Sequence, residues 1–290
     1  MQNYVIITDS ASDIPAPLVQ DFDITLIPLQ FTINETDYYD DPLDRKLPPE
    51  DFFALMRQGH QAQTAQVTAN QFIAVFEPIL QRGQDILYLG FSSKISGTYD
   101  SSALASQELA AKYPDRTLLT LDTKAASMGL ALMVDLAVQQ KKKGMSVQEL
   151  YDWVKAQLPH LCHWFTVDDL VYLRRGGRVS AVASFIGTTL NIKPILHVDN
   201  EGALIPVGKV RGRKQSLESL AQKMAASCID PEQQTVYICH ADALQDAQTL
   251  EASIKSLIPV REVRLGMMGS TIGAHAGPGT IALFFIGQER

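Results

Sequence analysis

The chain has 290 residues, of which 46% are hydrophobic and 20% charged, and its formal net charge is −7. This length holds one large domain or two ordinary ones, and the composition is typical of a globular protein with a sizeable core. The negative charge and the lack of a long basic run argue against a nucleic-acid-binding surface.

The cysteines Cys162, Cys228 and Cys239 are far apart and lack a C-x-x-C spacing. This pattern favours buried thiols in a reducing compartment. The amino terminus leads into a strand without the basic and apolar regions of a secretory signal, and no apolar run approaches the length that spans a bilayer. We therefore expect a cytoplasmic protein that does not span a membrane.

The first half of the chain alternates between strand and helix patterns. Residues 4–9 form a continuous apolar, β-branched run that is typical of a buried parallel strand. A second strand region is expected over residues 24–33, broken by Pro28. Residues 37–41 are acidic, but their irregular spacing favours an exposed loop over a cation site.

A capping box of Thr68 and Gln71 predicts a helix over residues 72–80. Thr64 lies before this cap and is not needed for it, which makes it a candidate ligand residue; an ordinary loop threonine is the alternative. Another capping box, Ser146 with Glu149, predicts a helix that ends near residue 158.

A loop of small hydroxyl residues, 90–102, lies between an expected strand at 86–89 and an expected helix at 103–112. This is where an open α/β sheet usually binds its ligand. Free backbone N–H groups and the helix dipole favour an anion there. The alternative is that the serines only cap the helix.

The pattern changes near Pro159. Before it, strands and helices alternate, which predicts a parallel sheet with helices on both faces. After it, residues 195–198 and 203–207 flank a turn and predict an antiparallel hairpin. We therefore expect an α/β protein of two domains, 1–159 and 160–290, the second a mixed α/β domain with antiparallel strands.

The second half contains further expected elements. These are a strand at 162–167, a short helix at 169–175 capped by Asp168, helices at 215–228 and 244–257, and strands at 235–239, 260–265 and 280–286.

His275 lies in a glycine-rich stretch, 273–279, which is expected to be a loop before the last strand. Small neighbours allow a ligand to approach closely, and a histidine there can donate to a carboxylate. A solvated loop histidine is the alternative. The histidines show no paired metal-ligand spacing, so we expect no metal site.

Two short turns are rich in arginine. One contains Arg174, Arg175 and Arg178, and the other contains Arg211 and Arg213 at an expected helix start. Each is either a solvated helix end or a site for a phosphate or an acidic partner surface. Cations at a helix start oppose the dipole, so a bound anion would relieve them.

Together these stretches resemble the DegV family of bacterial fatty-acid-binding proteins. The matching stretches follow the family's order through nearly the whole chain: residues 8–13, 64–66, 93–99, 122–124, 165–170, 174–178 and 275–279. The resemblance implies two α/β domains with an acyl chain buried between them. It also implies a partner, the catalytic subunit of a fatty acid kinase, which phosphorylates the presented carboxylate.

Carried over to this chain, the resemblance implies that Thr64 and Ser96 bind the carboxylate, with Gly97 and His275 close by. The arginines at 174–178 and 211–213 would lie near the head group or the partner. A long-chain fatty acid is the only ligand implied, with no metal or other cofactor. The family often has serine and then proline where this chain has Ala65 and Val67, so one of its head-group hydroxyls is absent here.

An enzyme is the competing hypothesis, with Ser96 as nucleophile and His275 as base. The sequence lacks a G-x-S-x-G elbow and an obvious third member of a triad, which favours the carrier. In either case we expect Thr64 and Ser96 to converge, because each would end a strand-to-helix passage at one edge of the parallel sheet.

Overall fold

A computed structural model describes residues 3–178 and 191–290, so that Met1, Gln2 and residues 179–190 lie outside the described part. In chain order its strands are β1 (Tyr4–Asp9), β2 (Thr25–Ile27), β3 (Gln30–Ile33), β4 (Thr36–Tyr39), β5 (Ala62–Ala65), β6 (Asp85–Phe91), β7 (Leu118–Ala125), β8 (Leu161–Thr166), β9 (Ile192–Val198), β10 (Leu204–Arg211), β11 (Thr235–His240), β12 (Glu262–Met267) and β13 (Ile281–Ile286). Its α-helices are α1 (Ala16–Asp21), α2 (Pro49–Arg57), α3 (Ala69–Gln81), α4 (Thr98–Lys112), α5 (Met128–Lys142), α6 (Val147–Gln157), α7 (Val171–Arg175), α8 (Arg213–Ser227), α9 (Leu244–Leu257) and α10 (Ser270–Ala276).

The first sheet is parallel throughout, with the strand order β2-β1-β6-β7. Its side chains alternate between two cores, as the period of a strand requires. Ile7 and Tyr88 pack with residues of α3 and α4 on one face, whereas Ile6 and Leu87 pack with α5 and α6 on the other. The predicted parallel sheet with helices on both faces is confirmed.

A second sheet, which the sequence did not suggest, is formed by three antiparallel strands in the order β4-β3-β5. It places Thr64 opposite Phe31 on an antiparallel strand. The expectation that Thr64 ends a strand of the parallel sheet is therefore wrong. So is the exposed loop expected over residues 37–41, because β4 occupies its first part and Asp40 is buried.

The third sheet is mixed and has the order β10-β9-β8-β13-β11-β12. The β11–β12 pair is parallel, and the other neighbours are antiparallel, including the predicted hairpin of β9 and β10. Helices α8 and α9 pack on one face of this sheet. The mixed α/β fold with antiparallel strands after Pro159 is confirmed.

Helix α5 lies between the first and third sheets and packs against both. Residues 128–135, 137 and 138 are all buried, and within this span only Leu136 is partly exposed. This follows from a sequence that is apolar all round rather than along one stripe. Gly129 lets the helix approach closely, since a Cβ there would lie 2.3 Å from Nε2 of His163.

Local signals were read correctly where the partners are near in sequence. Both capping boxes form, at Thr68 with Gln71 and at Ser146 with Glu149. Helix α9 covers the predicted residues 244–257. Helix α4, by contrast, begins five residues earlier than expected, at Thr98.

Two predictions after Pro159 are wrong. Asp168 does not cap α7; its carboxylate pairs with Lys193, while Asp169 accepts the N–H of Val171. His275 is not on a loop but in the last turn of α10.

Among the helices of the described residues, none is both long and apolar enough to cross a bilayer.

Candidate functional site

An apolar cavity of about 210 Å³ lies between residues contributed from both sides of Pro159. Its walls are mostly aliphatic and aromatic. They include Leu29, Phe91, Ile95, Ala126, Phe165, Leu173, Val198, Leu204, Met268, Ile272, Ala276, Ala282 and Phe284. Four of the residues predicted as ligand-binding, namely Thr64, Ser96, Gly97 and His275, also line it.

Thr64 and His275 meet directly. Oγ1 of Thr64 lies 2.8 Å from Nε2 of His275, although 211 positions separate the two residues. The other ring nitrogen, Nδ1, is buried and has no hydrogen-bond partner among the described residues. It faces Gly176, where an added Cβ would lie 2.1 Å from it, so the imidazole can occupy this place only because residue 176 lacks a side chain.

The imidazole of His275 is neutral in the free protein. Burial, and then the positive charge of Arg178, lower its pKa to about 4. A neutral imidazole avoids placing a buried positive charge beside the exposed guanidinium of Arg178. A bound carboxylate would act in the opposite direction and favour the protonated ring.

Ser96 is held by the turn that follows β6. Its N–H donates to the carbonyl of Ser92 (3.1 Å), and its Oγ lies 2.9 Å from Oγ1 of Thr98. The N–H of Thr98 donates to the same Ser96 oxygen at 3.2 Å. Thr64 and Ser96 therefore line one cavity, as expected, although Thr64 lies on a strand of the antiparallel sheet.

A polar cleft of about 310 Å³ adjoins the apolar cavity. Thr64, Arg178 and His275 line both spaces and form a partition between them. The rest of the cleft wall includes His60, Gln61, Gln63, Tyr172, Arg175 and Gly176. None of its lining residues in the described part of the chain is acidic, so the cleft is suited to an anion.

The predicted arginines occupy different environments. Arg178 lines both spaces, and its Nε donates to the carbonyl of Ile95 at 3.1 Å. Arg175 lines only the cleft, and Arg174 is exposed on α7 beside it. Arg211 is exposed at the end of β10, and neither it nor Arg213 lines either space.

Arg213 already has partners within the chain. Its Nε pairs with Asp246 at 2.9 Å, and its guanidinium also donates to the carbonyl of Gly279 at 2.6 Å. These contacts stabilise the start of α8. The sequence pattern had suggested instead that a bound anion would offset the positive charge there.

Groups of three or more histidine, cysteine or carboxylate side chains that could hold a metal ion do not occur in the described ranges 3–178 and 191–290.

A family model described as "Uncharacterised protein, DegV family" matches residues 3–288. A DegV domain-containing protein of Clostridium perfringens is 43% identical over 290 residues, which is 100% of this chain and 99% of the relative. The chain belongs to the DegV family.

Solved structures of DegV proteins share the fold. One from Thermus thermophilus, described by its fatty acid binding, is 28% identical with a TM-score of 0.89 and covers 99% of this chain and 100% of its own. A DegV lipid-binding protein from Thermotoga maritima is 29% identical with a TM-score of 0.85 and full coverage of both chains. DegV of Bacillus subtilis, called a fatty acid binding protein, is 26% identical with a TM-score of 0.83, covering 99% of this chain and 100% of its own.

Sequence reasoning missed the groups that hold α10 in this DegV chain. The N–H of Gly269 donates to Asp13 at 2.9 Å, and that of Thr271 donates to Asp40 at 2.8 Å. Both carboxyl groups are buried; burial raises the pKa of Asp13 to about 7 and also raises the pKa of Asp40. The two side chains fix the start of the helix whose last turn carries His275.

Gln66 was also missed, although it lies next to predicted residues. It lines the cavity, and its Nε2 donates to Oγ of Ser101 at 3.2 Å. Its place in the stretch 64–66 was the available signal. Ala65 lines the cavity too, so the position where the family often has serine contributes a methyl group here.

Proposed function

We propose that the chain binds a long-chain fatty acid, with the acyl chain in the apolar cavity and the carboxylate at Thr64, Ser96 and His275. The observation that carries this proposal is the partition: an apolar cavity ends at hydroxyl, imidazole and guanidinium groups, beyond which lies a polar cleft. A long apolar ligand with one anionic end matches this sequence of environments. The fatty acids and lipids named for the DegV structures support the same assignment.

The two ends of the ligand would contribute differently. Burial yields about 0.8 kcal/mol per CH₂, hence roughly 12 kcal/mol before costs for a sixteen-carbon chain. Each charge-assisted hydrogen bond at the head would yield about 1.5–3 kcal/mol. The tail therefore supplies most of the affinity, and the head group fixes the direction in which the ligand lies.

The binding proposal can be tested by native mass spectrometry of protein purified from a heterologous host. We expect a co-purified fatty acid, and after delipidation we expect saturable binding of palmitate with an increase in the melting temperature. 1-Hexadecanol is the matched control, since it has the same chain length and no carboxylate. The proposal would be refuted if the protein purifies without a bound fatty acid and also binds no fatty acid after the delipidation step.

We further propose that the chain presents the carboxylate to the catalytic subunit of a fatty acid kinase. A carboxylate at the partition would face the polar cleft, where Arg175 and Arg178 favour an incoming phosphate. One carboxylate oxygen would attack the γ-phosphorus of ATP, and ADP would leave. Exposed Arg174 and Arg211 remain our candidates for contact with an acidic partner surface, whereas Arg213 is already paired with Asp246.

This second step is tested by mixing the loaded protein with the kinase subunit and ATP and trapping acyl phosphate with hydroxylamine. Hydroxamate should form only when both proteins and the fatty acid are present. Acid phosphorylated equally well without the chain would contradict presentation.

A serine hydrolase is supported less well. Nε2 of His275 forms a hydrogen bond with Thr64, and within residues 3–178 and 191–290 its Nδ1 has no partner, so neither ring nitrogen is paired with the Ser96 hydroxyl. We therefore propose a carrier without catalysis of its own. Turnover of p-nitrophenyl esters that is lost in both Ser96→Ala and His275→Ala would favour the hydrolase.

Two other predictions are retained as part of this proposal. The division into domains 1–159 and 160–290 is supported by the sheets, because the strands of the first two precede Pro159 and those of the third follow it. A cytoplasmic location is supported by Cys162, Cys228 and Cys239, all of which are free thiols.

A further inference from the structure

The hydroxyl of Thr98 connects the two segments that carry the head-group residues. Thr98 is the first residue of α4 and is fully buried. Its Oγ1 accepts the N–H of Val67 at 3.3 Å and lies 2.9 Å from Oγ of Ser96. Val67 directly follows the stretch that contains Thr64 and Gln66, so one side chain joins that stretch to the turn holding Ser96.

The direction of the hydrogen bond between the two hydroxyls follows from their other contacts. The Val67 N–H can only donate, and therefore Thr98 Oγ1 accepts from it. If Ser96 also donated to Thr98, the Thr98 hydrogen would be buried with no acceptor in the described part of the chain, which is costly. If Thr98 donates to Ser96 instead, every polar group of Thr98 is paired.

This assignment determines what Ser96 offers to a ligand. Its Oγ then accepts from both the N–H and the hydroxyl of Thr98, and its own hydrogen remains available. Ser96 lines the cavity, so that hydrogen can be directed towards a ligand there. An ionised carboxylate only accepts hydrogen bonds and is the complementary head group.

We propose that Thr98 is a positioning residue for head-group selection: by donating to Ser96, it makes Ser96 a donor towards the ligand and so favours a carboxylate over an alcohol. This inference rests on the proposed fatty-acid binding. Thr98 itself need not touch the ligand, because its effect passes through Ser96.

The test compares palmitic acid with 1-hexadecanol, which has the same chain length and a neutral head that can donate as well as accept. The readout is the ratio of the two dissociation constants. Thr98→Val keeps the shape and removes the hydroxyl; Thr98→Ser keeps the hydroxyl. Thr123→Val is the matched control, because Thr123 is also fully buried and its Oγ1 likewise accepts a backbone N–H, that of Ala125, while it donates to another oxygen, the carbonyl of Gly90. Its partners lie in β6 and β7 and not at Ser96.

We expect Thr98→Val to reduce the preference for the acid by roughly three- to tenfold, the scale of one hydrogen bond. Thr98→Ser should restore the preference, and Thr123→Val should leave it unchanged. In a Ser96→Ala background, Thr98→Val should have little further effect on the ratio, because the residue it acts through is gone. If Thr98→Val does not fold, Thr98→Ala carries the same comparison.

Two results would overturn the inference. One is an equal loss of affinity for acid and alcohol in Thr98→Val, which would mean that Thr98 only supports the fold. The other is an undiminished effect in the Ser96→Ala background. Failure of the wild-type protein to bind palmitic acid at all is a different result and would refute the proposed function itself.

Discussion

The apolar cavity and the polar cleft lie on opposite sides of the same three residues, Thr64, Arg178 and His275, yet they differ in chemistry. Both are a few hundred Å³ in volume, about 210 Å³ for the cavity and about 310 Å³ for the cleft. The polar groups of the cleft wall can form hydrogen bonds with water, whereas the apolar wall of the cavity is stabilised by any apolar ligand that displaces water from it. Wall chemistry therefore distinguishes the space proposed for the acyl chain from the space proposed for reaction at the head group.

The largest expected effect comes from filling the apolar side. Ala282 lines the cavity from β13, and Ala282→Phe would occupy the space of several methylenes. We expect palmitate binding to weaken by about a hundredfold or more, since roughly four buried methylenes would be lost at about 0.8 kcal/mol each. Isothermal titration calorimetry on delipidated protein measures this change.

Two controls accompany that variant. Leu104→Phe adds a ring at an exposed position of α4 and should leave the affinity unchanged. A ten-carbon acid should lose much less affinity than palmitate in Ala282→Phe. Equal losses for both acids would place Ala282 beside the first ten carbons of the bound chain, and no loss for either acid would mean that the acyl chain lies elsewhere.

A smaller effect is expected at the partition. Ser96→Ala should weaken fatty-acid binding by about 1–2 kcal/mol, roughly 5- to 30-fold, because the tail carries most of the affinity. Phosphoryl transfer by the kinase should suffer more, since the carboxylate loses its orientation. Loss of all tail binding combined with normal phosphorylation of the remaining ligand would contradict this division between the two regions.

The two histidines that line the cavity allow a further comparison. His275 has a pKa of about 4, and burial holds the pKa of His163 well below its usual value. A carboxylate at the partition stabilises the imidazolium of a nearby histidine, so palmitate should raise the pKa of His275 by about one unit or more. The titration of His163 should not change. NMR of the ring protons with and without palmitate measures both, and an unmoved His275 would place the carboxylate away from it.

The smallest effect on lipid affinity is expected outside the partition. In the double variant Arg174→Glu, Arg175→Glu, we expect unchanged palmitate binding. The rate of association with the kinase should fall and should become less sensitive to salt. Lys142→Glu, Lys143→Glu makes the same change of net charge at exposed positions at the end of α5. If phosphorylation is unchanged at low and at high salt, these arginines only form a solvated helix end and do not contact the partner.

The sequence was informative where each signal and its partner are close along the chain. The capping box of Thr68 with Gln71 spans three positions and was predicted correctly. The passage from strand to helix that contains Ser96 was likewise predicted, and it lies between β6 and α4. The pairing that places Thr64 opposite Phe31 was not readable, because both strands are short and the pairing depends on tertiary contacts.

His275 illustrates the same limit. Its segment is rich in glycine, a poor helix former, so a loop was the natural prediction. The helix nevertheless forms with Asp13 and Asp40 bonded to its first turn, which lie 256 and 231 positions away from their partners. No local pattern carries that information. Arg213 and Asp246, 33 positions apart, form their ion pair for reasons that are equally non-local.

Helix α5 has a consequence for any attempt to separate the two halves of the chain. It precedes Pro159, yet it covers the face of the third sheet opposite α8 and α9. A fragment of residues 160–290 would therefore expose that sheet face, including Tyr237 and Phe284, to water. The point at which the chain divides most naturally by sequence is thus a poor place to cut it, because one half supplies a layer of the other half's core.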